Sequence, residues 1–136
     1  MKALKIIGIV LGALIALFLI IAAFLPKDVR LARSVTVQQP KRVVYPYISD
    51  LRKYNQWNPW REKDPNTEYE FSGQSSGPGA WMKWHSEDPN VGNGKMTIAQ
   101  VEPNEAVRMK LAFGMEGDTV RNESGMELQS VEKGTQ

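Results

Sequence analysis

The chain has 136 residues, no cysteine, and 17 Lys and Arg against 15 Asp and Glu. That composition excludes disulfides, thiolate nucleophiles and Cys-ligated metals at once. Lys2 and Lys5 account for the whole net charge of +2, because from Lys27 onward 17 less 2 leaves 15 basic residues against 15 acidic ones; so balanced a segment argues against a nucleic-acid partner.

Ile6 to Leu25 carries no charge, and most of its side chains are Leu, Ile, Val or Phe. At about 1.5 Å per residue a helix of that length reaches roughly 30 Å, the thickness of a bilayer's hydrocarbon core. The alternative is a cleaved secretory signal, with Lys2 and Lys5 as its basic end and Ala22-Ala23 near its cleavage site. The apolar run is long for a signal, whose core is usually about 7 to 15 residues, and it ends in Phe24-Leu25-Pro26 rather than in A-x-A. The expectation is therefore an uncleaved single-pass anchor, residues 1–30 including its flank, with the domain of residues 31–136 in the periplasm or outside the cell. Basic residues flank the span on both sides, so orientation rests on the shortness of the N-terminal tail. Gly8, Gly12 and Ala16 recur every four residues; such a stripe either packs a second copy into a homodimer or simply faces lipid.

The remaining 110 or so residues suffice for one core. Leu31 to Gln38 alternates Val35 and Val37 with Ser34, Thr36 and Gln38, which predicts a first strand. A helix is expected from Pro40 to about Leu51, with Val43, Val44, Tyr47, Ile48 and Leu51 on its apolar face and Pro46 kinking or shortening it. Tyr54 to Trp60 is too irregular for a strand and reads as a turn or short helix pinned by its aromatic residues.

Four alternating segments follow, around Tyr69 and Phe71; Ala80, Met82 and Trp84; Met96 and Ile98; and Val107, Met109, Leu111 and Phe113. The connectors 72–79, 88–94 and 102–105 are rich in Gly, Pro, Asn and Asp, so neighbouring strands should pair antiparallel as a meander. Met126, Leu128 and Ser130 suggest a sixth, weaker strand, and residues 132–136 a turn opening into a seventh.

No constellation of catalytic residues stands out. His85 is the single histidine and falls on the polar phase of its strand, so no metal or other cofactor is called for. Asp64, Glu87 and Asp88 sit in turns, where carboxylates cap. Gly73 to Gly79 lacks the Lys-Ser/Thr of a phosphate-binding loop and reads as a hairpin connection. The apolar phase, Tyr69, Phe71, Met82, Trp84, Met96, Ile98, Val107, Met109, Leu111 and Phe113, should share one face. Pattern alone leaves open whether that face is plain core or lines a cavity for an apolar ligand.

The chain resembles the START/Bet v 1-like superfamily, specifically the membrane-anchored bacterial SRPBCC proteins of the polyketide cyclase/dehydrase type. The likeness rests on Trp57-Asn58-Pro59-Trp60 with Lys63-Asp64-Pro65, on Gly77-Pro78-Gly79-Ala80 leading to Met82 and Trp84, and on Val91 to Ile98. It implies an α+β helix-grip fold, a curved antiparallel sheet around a long C-terminal helix. Measured against that pattern, the last strand and the long helix are missing, so an incomplete domain is expected. The resemblance favours a sheet-lined pocket for a lipid or other small hydrophobic ligand, built from Tyr69, Phe71, Met82, Trp84, Met96, Ile98, Met109, Leu111 and Phe113, with Trp57 and Trp60 as rim or packing residues. The alternative it carries is a cyclase- or dehydratase-like enzyme on a small hydrophobic substrate, for which Tyr69 is the one titratable group on the apolar phase.

Overall fold

The computed structural model describes residues 2–25, 30–114 and 120–136. It comprises two units, Met1–Arg33 and Ser34–Gln136. The first holds α1, Lys2–Phe24, a helix of 23 residues. Every side chain from Ile6 to Leu25 is exposed. The helix is long and apolar enough to cross a bilayer, and a helix apolar all round is at home only in a core or in lipid. Gly8 and Gly12 share one of its faces with open space beside them.

The stretch that leads into the second unit departs from expectation, since Leu31 to Gln38 forms no strand. Val37 alone bridges Thr135, its amide donating to the Thr135 carbonyl at 2.8 Å and its carbonyl accepting from the Thr135 amide at 2.9 Å. Alternation needs a sheet to bury against, and here Leu31 and Val35 are 92% and 73% exposed. Gly134, beside that bridge, has φ near +139°, and a Cβ there would run into the Val37 carbonyl, so no side chain is tolerated.

Three helices follow: α2, Lys41–Ser49; α3, Leu51–Trp57; and α4, Trp60–Lys63. The expected single helix is thus two. Pro46 removes a donor inside α2, which ends three residues later. Asp50 is extended at the corner, and its carboxylate accepts from the amides of Arg52 at 2.9 Å and Lys53 at 3.2 Å, capping α3. Ser75 anchors that corner to the loop before the second strand, its hydroxyl donating to the Asp50 carboxylate at 2.8 Å and its carbonyl accepting the Leu51 amide at 2.7 Å. The inward face of the pair is Val44, Tyr45, Ile48, Leu51 and Tyr54; Val43 and Tyr47, expected there, are exposed.

The sheet runs β1, Glu68–Phe71; β2, Trp81–His85; β3, Gly94–Glu102; β4, Ala106–Phe113; and β5, Val120–Glu127, in that spatial order and antiparallel throughout. This is the expected meander. The fifth strand starts earlier than Met126, because its pairing with β4 begins at Val120 opposite Phe113. Ser130–Val131 and Gly134–Thr135 form a separate two-stranded ladder, β6 and β7. A register shift between Ile98 and Gln100 marks a bulge in β3, a feature that bends the strand. Ile48 and Leu51 pack on the sheet with Ala80, Met82, Met96, Ile98, Val107, Met109 and Leu128 to form the core.

Candidate functional site

Cross-strand register puts the expected apolar residues on one face. Phe71, Met82, Met96 and Leu111 form one row, Ile98 pairs with Met109, and Tyr69, Trp84, Gly94 and Phe113 form the row nearest one end of the sheet. Cover differs along and within these rows. Met82, Met96, Ile98 and Met109 are buried among the residues that meet Ile48 and Leu51, so these four are core. Tyr69, Phe71, Trp84, Leu111 and Phe113 are only half-buried. Val120, opposite Phe113 on β5, is 62% exposed.

Packing explains the geometry of the half-buried row. Gly94 stands opposite both Trp84 and Phe113. A Cβ at Gly94 would overlap the Trp84 indole and lie 2.7 Å from the Ala112 carbonyl oxygen, so the missing side chain lets the indole lie flat across the strand. The same indole meets Phe113 edge to face, centroids 5.6 Å apart. On the β1 side, the Arg52 guanidinium covers the Phe71 ring at 4.8 Å.

Tyr69 is the polar exception in this row. Its hydroxyl oxygen is buried and has no hydrogen-bond partner among the described residues. Burial pushes its phenol above the ordinary value, with the Thr67 side chain and then Arg61 acting the other way. The Thr67 hydroxyl donates its own proton to the Asp64 carbonyl at 2.8 Å, so it does not donate to the Tyr69 oxygen. Tyr54 on α3 is raised as well, by burial first and by Tyr69 second. Two neutral phenols therefore lie near each other where α3 meets β1.

Trp57 and Trp60 are 48% and 45% exposed. Trp57 donates its indole N–H to the Tyr47 carbonyl at 3.0 Å and meets Tyr54 edge to face at 4.9 Å. Trp60 lies under the Lys63 ammonium at 4.5 Å.

Away from this row lies a polar concavity, a half-open depression of about 300 Å³ lined by Asp64, Asn66, Glu68, His85, Glu87 and Asp88. Composition gave no hint of it, since its residues come from two turns and from the paired strand ends Glu68 and His85. Two of its four carboxylates hold turns: Asp64 accepts from the Ser86 hydroxyl and the Asn66 amide, and Asp88 accepts from the Asn90 amide and side chain. The Ser86 and Asn66 donors, in that order, hold the Asp64 carboxyl below its ordinary value. Among the described residues, no His, Asp and Glu side chains converge as a set of three metal ligands.

Comparison with protein-family models, with curated proteins and with solved structures finds no match to this chain.

Proposed function

We propose that this chain is a membrane-tethered module that binds a lipid or other small hydrophobic molecule on the helix-covered face of its sheet, at the end built from Tyr69, Trp84, Leu111 and Phe113. One observation carries the reading, the buried Tyr69 hydroxyl, without a partner among the described residues and set in an otherwise apolar row. A buried polar group without a partner costs about 1–3 kcal/mol, and a ligand with an apolar body and one acceptor would relieve that cost. The raised pKa of the phenol keeps it a hydrogen-bond donor rather than a base, which favours binding over catalysis. Resemblance to the helix-grip SRPBCC proteins points the same way. Tethering by α1 would hold the site beside the bilayer, the natural source of such a ligand, with the domain outside the cytoplasm.

The test uses the full chain in nanodiscs with a diazirine-bearing fatty acid, its adducts mapped by peptide mass spectrometry. Adducts at Tyr69–Phe71, Trp84 and Leu111–Phe113 are expected. Adducts confined to Lys2–Phe24 would mean that the probe only meets the membrane helix, and the site would be lost. Protease added to intact spheroplasts checks the orientation: a domain that survives until the membrane is permeabilised lies inside.

A further inference from the structure

The face of the sheet opposite the helices carries a charge pattern that the apolar site does not use. Lys83 on β2 stands directly opposite Lys95 on β3, an arrangement of like charges that is ordinarily unfavourable. Both ammonium groups lie over the half-buried Trp81 ring, at 4.9 and 5.0 Å. The next row runs Trp81, Thr97, Lys110, which extends the basic cluster across three strands around one indole. Its acids stand at the margins: Glu70 reaches Lys83 at 3.8 Å and Glu127 reaches Arg108 at 3.5 Å. Glu123 opposes Lys110 in register, yet among the described residues neither Lys110 nor Lys95 closes an ion pair.

We infer that this outer face docks on anionic lipid headgroups, Lys83, Lys95 and Lys110 meeting phosphates and Trp81 lying at headgroup level. Cationic side chains around an indole are the chemistry that an anionic bilayer surface attracts, and Trp favours the interface. The inference rests on the tether proposed above. Ten residue steps separate Phe24 from Ser34, and at about 3.5 Å per step the connector reaches no more than roughly 35 Å, so a tethered domain stays close to a headgroup surface. An acidic protein would meet the same charges, but only the bilayer is brought near by the chain itself.

The experiment reconstitutes the full chain into vesicles of phosphatidylcholine alone or mixed with phosphatidylglycerol. Flotation comes first and reads the tether: the chain should float with both. Amine-reactive footprinting then reads each lysine. Reactivity at Lys83, Lys95 and Lys110 should fall about threefold or more in the anionic vesicles, relative to Lys53 on α3, and recover in high salt. Equal reactivity in the two lipids overturns the docking. The Lys83→Gln/Lys95→Gln chain should float as before but lose protection at Lys110, and protection retained there also overturns it. A chain that fails to float with neutral vesicles removes the tether alone. Docking must then carry it onto anionic vesicles unaided, and failure there as well overturns both.

Discussion

The two ends of one apolar face behave differently. Met82, Met96, Ile98 and Met109 lie within the cluster that includes Ile48 and Leu51 and are almost wholly buried. Tyr69, Trp84, Leu111 and Phe113 belong to the same strands and the same alternation, yet stay half-buried. The first group is Met and Ile and the second mostly aromatic, but all are large and apolar enough for a core. Cover separates them, and α2 and α3 together are only 16 residues long. Alternation along a strand therefore reports which side of a sheet a residue takes, and the neighbouring layer decides whether that residue is core or surface.

The comparison breaks first at its covered end. Met109→Ala or Leu51→Ala should cost about 2–5 kcal/mol, the range for large-to-small changes in a close-packed core, whereas Leu111→Ala should cost less than half as much. Urea melts of the three variants measure the ratio. Near-equal losses would mean that both ends are packed alike.

Gly94→Val sharpens the open end. The new side chain must push the Trp84 indole off the strand, an overpacking that costs about 1–3 kcal/mol. The edge-to-face contact with Phe113 should go with it, visible as a loss of near-ultraviolet circular dichroism. An unchanged spectrum would show that the indole does not rest on Gly94.

The cover has its own weak point at Asp50. Asp50→Ala removes the acceptor for the Arg52 and Lys53 amides and the partner of Ser75, and should cost about 1 kcal/mol, read from the denaturation midpoint. No change would mean that the α2–α3 corner is held by the Leu51 amide bond to Ser75 alone.

A smaller effect separates the polar depression from the apolar site. Asp64 titrates below its ordinary value of 3.8 in the folded protein, so its stabilising bonds are fully present above that value and are lost as pH falls through the lower, folded one. Wild type should therefore exceed Asp64→Asn in stability at neutral pH, and the gap should close as the pH drops below about 4. A gap that is constant with pH would show that the carboxylate charge is not what holds Ser86 and Asn66.

Much of the sheet was legible from its sequence. Tyr69–Phe71, Met82–Trp84, Met96–Ile98 and Val107–Phe113 announce themselves by period-two alternation, and the Gly- and Pro-rich connectors between them announce antiparallel pairing. Of strand β5 only the end at Met126 was, because Val120 to Gly125 alternates no apolar residues; what holds it is the complete ladder with β4. The opposite error arose at Leu31 to Gln38, where alternation is present and no ladder follows beyond Val37. The break between α2 and α3 was half visible in Pro46, while the capping role of Asp50 depended on Ser75, distant in sequence. For the candidate site, the shared face could be read from the pattern, but its division into covered and open ends could not. Nor could the burial of the Tyr69 hydroxyl without a partner among the described residues, which depends on how α3 and β1 pack.

That hydroxyl is the most direct handle on the proposed function. Thermal melts of the full chain and of Tyr69→Phe in nanodiscs, each with and without the diazirine fatty acid, measure its two effects together. Removing an unpaired buried hydroxyl should stabilise the empty protein by about 1–3 kcal/mol and raise its midpoint by several degrees, while the stabilisation conferred by the fatty acid on wild type should largely disappear. A Tyr69→Phe chain that melts lower than wild type, or that keeps the full ligand-induced shift, would contradict the account.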